Sequence, residues 1–395
     1  MEQTSMPRQL HRLQQYQDEL VWNLGSDDTV VIRPGLTATF FFENASKASV
    51  RQKIIECYDY FYELFGSKLK GQKYMENKTR KMTADSYRQC REKMLAVKDP
   101  NQSLAWFVSS EPTASYAAEY FISCFTRAEL HEGWGHKSYL KIALPHTLIF
   151  QDSGLDIFKK LIAFICDAIQ PVHGYSGLSP VLPYDFDRYL PNEYELAQRF
   201  IGLDVDSMSF SAGAHELQNH IKGANWLTLL GDHFVQQLGG DAAIHAQLTA
   251  WPDITFSRYA GGLIIQAGEY PDLGAPEDGA PVPYVAVSRV VKPVRTTQPG
   301  SLHYYLPQQN GFDKTDTVSW YERFDAVPLP EAVPESVSAI EGMRCEADKP
   351  CPESGYWWTP AMENSRRHFT QGELMPNFPN SAYGSTIWYL DDFVA

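Results

Sequence analysis

The sequence has no long hydrophobic run, and its first residues carry no apolar segment. No window approaches the roughly 18 consecutive apolar residues that a transmembrane helix needs. The opening segment, Met-Glu-Gln-Thr-Ser-Met-Pro-Arg-Gln-Leu, lacks the apolar core of a secretory signal. We therefore expect a cytoplasmic protein that does not associate with membranes.

Cysteine is scarce, with six residues in 395. Cys345 and Cys351 lie close together, but two thiols do not complete a tetrahedral zinc site, and His368 is not at zinc-finger spacing. In a reducing cytosol we expect these two as free thiols, with a disulfide as the alternative. The other four fall in patterned segments and are expected in the core: Cys57, Cys90, Cys124 and Cys166. The sequence thus predicts neither a metal site nor a cofactor.

The motifs of nucleotide and nucleic-acid binding are also missing. There is no Walker loop, no Gly-x-Gly-x-x-Gly, no Cys-x-x-Cys and no basic stripe with aromatic residues.

The net charge of the chain is -14 and is unevenly distributed. Residues 1–100 contain 16 Lys and Arg and 13 Asp and Glu, so the remaining residues contain 18 basic and 35 acidic groups and carry a net charge of -17. A field of that sign repels DNA and attracts basic proteins. It indicates either ordinary solubility or a surface that meets a cationic cleft.

Two segments look like catalytic motifs but have the wrong spacing. His131-Glu-Gly-Trp-Gly-His136 sets its histidines five apart, whereas a zinc helix needs four, and the two glycines favour a loop. Gly174-Tyr-Ser-Gly177 has its second glycine one position too early for a nucleophile elbow. His173 and Asp185 lie nearby but do not restore the motif. An enzyme is therefore the least favoured interpretation.

Paired aspartates occur in Tyr184-Asp-Phe-Asp187 and Leu203-Asp-Val-Asp206. A calcium loop also needs a third ligand, a glycine and a distal Glu, and these are missing. Capping, turns and plain surface charge are the ordinary explanation of such pairs. The alternative is an acidic contact patch for a protein partner, made of Asp185, Asp187, Asp204 and Asp206.

The order of patterned segments predicts an α+β fold, with mixed or antiparallel sheets flanked by helices. We expect a polar arm or short surface helix over residues 1–20, a main domain over 21–323, a Pro-rich linker over 324–341 and a small Trp-rich β module over 342–395. A β-ribbon is predicted at 29–42, with its turn at Pro34-Gly35. The further predicted helices lie near 46–65, 84–96, 153–169 and 193–200, and the further strands near 104–108, 116–126, 139–144, 224–230, 254–257, 262–267 and 284–295.

Several uncommon segments occur in an order that resembles one protein family. They are Gly174-Tyr-Ser-Gly177, Glu195…Ala197…Arg199-Phe200, Gly202-Leu-Asp-Val-Asp206, Ile221-Lys-Gly-Ala-Asn-Trp-Leu-Thr228 and Leu238-Gly-Gly240. In this order they look like the TsiV family of type VI secretion immunity proteins, over about residues 20–300. The tail from Arg344 to Tyr389 more weakly resembles extensions of related immunity proteins.

The resemblance implies a cytoplasmic α+β protein that binds a toxic effector and occludes its active site. Family members are associated with VRR-Nuc nucleases, so the implied partner is a basic-cleft nuclease bound in a 1:1 complex, without direct contact to nucleic acid or membrane. The resemblance identifies no contact residue. The alternative is an adaptor that loads an effector onto the secretion machinery.

Overall fold

The computed structural model describes residues 6–25, 29–75, 78–184, 187–206, 217, 219–303, 310–330, 344–362, 365–379 and 386–390. The chain divides into two compact units, Met1–Leu329 and Pro330–Ala395. Among the described residues, no helix combines the length and apolar content needed to cross a bilayer.

An antiparallel sheet of eleven strands organises the first unit, in the order β10-β11-β9-β8-β2-β7-β6-β5-β3-β4, with β1 paired to β2. Its strands are β1 Trp22–Leu24, β2 Thr29–Phe42, β3 Gly71–Tyr74, β4 Arg80–Lys81, β5 Leu104–Ser109, β6 Phe121–Thr126, β7 Ser138–Pro145, β8 His173–Val181, β9 Leu227–Gly231, β10 Ile254–Tyr259 and β11 Gly262–Ala267. The predicted α+β class is confirmed.

The central strand β2 corrects one prediction, because no turn occurs at Pro34-Gly35. The strand runs unbroken from Thr29 to Phe42. Pro34 lies opposite Pro180 of β8, and the ladder with β7 starts only at Gly35. Two facing prolines occupy a ladder position that requires no amide hydrogen, so the strand continues through them.

Helices cover both faces of this sheet. They are α1 Arg8–Tyr16, α2 Ala48–Phe65, α3 Ala84–Ala96, α4 Glu129–Gly133, α5 Gly154–Ile169, α6 Leu190–Arg199, α7 Asp232–Gln237, α8 Asp241–Leu248, α9 Val282–Val291 and α10 Lys314–Tyr321. On one face α2 packs against α5, and Phe61 and Phe158 join a large core with Phe40 of β2. On the other face, Phe41 and Trp320 belong to a second core that α6 and α10 help to build.

The segment predicted as a strand at 284–295 is the helix α9, followed by a 3-10 turn over Lys292–Val294. The prediction was wrong because the Val-rich run is buried from Tyr284 to Val291 except at Arg289, and an almost continuous buried run has no clear periodicity to separate helix from strand. Pro283 stands in the first helical turn, where the missing amide hydrogen costs nothing.

Helix α1 is joined to the main domain by polar contacts and an apolar stripe. The Arg12 guanidinium donates to both carboxylate oxygens of Asp278, at 2.7 and 3.1 Å, and Arg8 donates to Asp272 at 2.9 Å. Leu13, 1% exposed, faces inward. The first described residues therefore form a docked amphipathic helix.

The second unit is a small antiparallel sheet in the order β12-β15-β13-β14, which confirms the predicted Trp-rich β extension. Its strands are β12 Arg344–Glu346, β13 Gly355–Trp358, β14 Arg367–Phe369 and β15 Ile387–Leu390. Trp357 and Trp388 are fully buried, and Cys345 and Cys351 lie in the same core as free thiols. Burial raises the pKa of the Cys345 thiol, so it is protonated at neutral pH.

Candidate functional site

A buried polar cluster lies on the sheet face that α6 and α10 cover. Thr39 of β2 pairs in register with Lys141 of β7 and with Tyr175 of β8, so three polar side chains stand side by side across three strands. All three bind the carboxylate of Asp206. Thr39 Oγ1 and Tyr175 Oη donate to it at 2.9 Å each, and Lys141 Nζ lies 3.1 Å from Oδ2.

A second buried ion pair lies beside the first. Lys222 Nζ is 2.5 Å from Asp204 Oδ1 and also donates to the carbonyl of Val205. The ammonium lies 4.1 Å from the centre of the Tyr175 ring, which adds a cation–π contact. Burial raises the pKa of the Asp204 carboxyl and lowers the pKa of the Lys222 ammonium, and the attraction between the two groups opposes both shifts.

Glu193 and His303 extend this cluster toward the α10 side. One carboxylate oxygen of Glu193 accepts from the amide of Asp206 at 3.1 Å, and the other lies 3.0 Å from His303 Nε2. The Phe312 amide donates to His303 Nδ1 at 3.2 Å, so a neutral ring carries its proton on Nε2 and donates to Glu193. Both side chains are buried. The cluster joins segment 204–206 to the sheet, to α6 and to His303, and this role is structural.

The structure places the predicted acidic residues differently from the expectation. Asp204 and Asp206 are 1% and 3% exposed, so plain surface charge does not explain this pair. Asp185 lies outside the described residues. Asp187 begins a 3-10 turn, Asp187–Tyr189, but its side chain is not among those described. Partner binding by the four aspartates stays a prediction.

Sequence reasoning missed the lysines that hold these carboxylates. Lys141 lies in the middle of an apolar strand, and Lys222 follows Ile221 in an otherwise uncharged segment. Both are almost fully buried. Lys141, a single lysine inside an apolar strand, could have indicated this ion pair, because a buried ammonium requires a buried counter-charge nearby.

The segment Gly174-Tyr-Ser-Gly177 lies inside strand β8, so it forms no strand-to-helix elbow. Alternation along the strand puts Ser176 and His173 on opposite faces, which separates a nucleophile from its base. A Cβ at Gly174 would lie 2.5 Å from the Thr39 carbonyl, and one at Gly177 would lie 2.3 Å from Asn225 Oδ1. The two glycines are therefore required by close packing.

In the other near-motif, His131 lies within the short helix α4 and His136 follows it. Helix α4 ends at Gly133, so the expected loop is correct only for the second half of this segment. The rings of His131 and His136 stack at 5.9 Å, while the Glu132 carboxylate accepts from the Ala45 amide at 2.8 Å. Among the described residues, no three His, Cys, Asp or Glu side chains are placed to hold a metal ion.

Comparison with known proteins identifies the family. Residues 53–324, more than half of the chain, match the model of TsiV, described as type VI immunity for VRR-NUC. The structure is similar to the Pseudomonas aeruginosa T6SS protein PA0821, at 27% identity and a TM-score of 0.72, over 84% of this chain and 96% of that one. No curated protein sequence matches the chain. The chain belongs to the TsiV family of type VI immunity proteins.

Proposed function

We propose that this chain neutralises a VRR-Nuc nuclease effector by binding it and covering its active site. The main support for the proposal is the family match over residues 53–324, because that family is described as type VI immunity for VRR-NUC. The proposal does not depend on the buried polar cluster, because its charges are engaged in internal contacts and are shielded from solvent.

The charge distribution supports a nuclease as the partner. A nuclease cleft binds phosphate groups with Lys and Arg side chains, whereas residues 101–395 of this chain carry a net charge of -17. Opposite charges accelerate the encounter of two proteins and make its rate depend on salt. We further propose a 1:1 complex that forms in the cytoplasm, where the DNA substrate lies.

A titration of nuclease activity tests the proposal. Purified chain is added to its proposed VRR-Nuc effector, and cleavage of linear DNA is followed. We expect activity to fall in proportion to the added chain and to end at one chain per effector. A nuclease of unrelated fold is the control and should keep its activity. Full inhibition by trace amounts of chain would instead indicate an enzyme.

A competition experiment tests the mode of inhibition. A catalytically inactive effector is bound to labelled DNA, and the chain is then added. Covering of the active site predicts release of the DNA in parallel with complex formation. A stable ternary complex of chain, effector and DNA would refute it. In the titration with active effector, normal cleavage of DNA by an effector that is bound to the chain would favour the adaptor role.

A further inference from the structure

We propose that a groove between α1, the start of α5 and the end of β11 receives a segment of the effector that carries an apolar anchor beside Lys or Arg. The groove is open to solvent and has a volume of about 470 Å³. Met6 before α1 and Phe150 before α5 line it and are 48% and 38% exposed, which is high for side chains of their size and polarity. This inference rests on the proposed function and assigns that function to one surface.

The charges around the groove identify the chemistry of its occupant. Asp152, Asp156 and Glu269 line it with exposed carboxylates, and Lys159 is the basic side chain among the lining residues. Burial lowers the pKa of the Lys159 ammonium, which also lies over the Trp226 ring at 5.6 Å. A lining that combines apolar side chains with a net negative charge fits a segment that buries one apolar side chain and presents cations beside it.

The backbone at the groove is held in a fixed and strained form. Ser153 has a φ of 60° immediately before α5, in the left-handed region that non-glycine residues seldom adopt. The next residue is Gly154, where a Cβ would lie 2.0 Å from the Leu148 carbonyl. Strain of this kind is found at binding surfaces that the fold pre-organises. The groove is therefore formed before the partner arrives, which limits the entropy cost of binding.

Charge reversal of the rim tests the inference. The variant D152K/D156K/E269K is compared with the full chain for binding to the catalytically inactive VRR-Nuc effector at several salt concentrations. We expect an affinity at least about tenfold lower and a weaker salt dependence, because attraction becomes repulsion. The matched control E63K/E92K/E322K reverses three exposed carboxylates elsewhere in the first unit and should bind nearly as the unmodified chain does.

A second variant separates the anchor from the charges. Phe150→Ala should raise the dissociation rate about tenfold while the association rate stays the same. If the unmodified chain inhibits the effector but neither variant changes affinity, the groove assignment is wrong and the proposed function stands. If the unmodified chain does not bind, both fail. The oligomeric state of each variant without effector is compared with that of the unmodified chain by light scattering. A difference would assign the groove to a second copy of the chain and overturn the inference.

Discussion

At the scale of single residues, the cluster around Asp206 shows how a charged motif becomes part of the interior. Its carboxylate accepts from Thr39 and Tyr175 and pairs with Lys141. A buried ion pair adds little net stability compared with apolar residues, but removing one partner leaves an unpaired buried charge. Replacing either residue of such a pair is therefore expected to destabilise the fold.

Replacing one member of this pair is expected to destabilise the first unit. Asp206→Asn keeps the shape but leaves the Lys141 ammonium without its counter-charge, at a cost of about 3–5 kcal/mol in the free energy of unfolding. The double variant D206N/K141M removes both charges and should recover much of that loss. Urea denaturation of both variants checks this. A D206N protein of unchanged stability that binds the effector weakly would place Asp206 in the interface instead.

His173 predicts a specific acid sensitivity. Burial lowers the pKa of the His173 imidazole to about 3, while its Nε2 lies 2.8 Å from the Leu217 carbonyl as a neutral donor. In the unfolded chain the pKa is about 6.5, so between these values the unfolded state binds a proton that the native state does not. Stability therefore falls as the pH drops below about 6.5, by about 2 kcal/mol at pH 5.

The variant His173→Gln removes this titration and retains a donor for the carbonyl. Its unfolding midpoint in urea should change less between pH 7 and pH 5 than that of the unmodified chain. His11→Gln, at an exposed position on α1, is the control and should leave the pH dependence as it was. Parallel pH profiles for the unmodified chain and H173Q would contradict the assignment.

At the scale of elements, prediction succeeded where one side of a segment faces solvent. Helix α3 has the predicted limits, 84 and 96, because charged residues alternate with an inward stripe and Thr83 caps the first turn. Prediction failed at α9, which is buried over most of its surface, and at β2, where Pro-Gly lies within a continuous strand. An alternation of apolar and polar residues identifies helices and strands that lie between the core and water. Inside the core almost every residue is apolar, so the alternation is absent and the type of element cannot be predicted.

Strand β8 gives a prediction at this scale, since its glycines are required by packing. In Gly174→Ala the new Cβ would press on the Thr39 carbonyl, and in Gly177→Ala it would displace Asn225, whose side chain accepts from the Trp226 amide at 2.8 Å. Each should cost about 1–3 kcal/mol in the free energy of unfolding. Gly133→Ala is the control, because its Cβ would meet nothing within 4 Å. Equal stability of all three variants would contradict the packing explanation.

At the scale of the molecule, the sequence predicted the class of fold and the family but neither the buried polar cluster nor the groove. The cluster depends on Lys141 and Lys222, which meet Asp206 and Asp204 only through strand register and tertiary packing. The groove combines residues near 6–10, 149–159 and 269–270. No local pattern connects segments that far apart in the chain, so neither the buried cluster nor the groove was predictable from one sequence.

The division into two units leads to a prediction about the second one. The family match ends at residue 324, inside the first unit, and the Trp-rich sheet has its own core around Trp357 and Trp388. A chain that ends at Leu329 should therefore keep the urea midpoint of the first unit and inhibit the effector at the same 1:1 ratio. Circular dichroism and the nuclease titration measure both properties. A truncated chain that folds but inhibits only at large excess would show that residues 330–395 contribute contacts to the effector, and the family domain would then account for only part of the immunity.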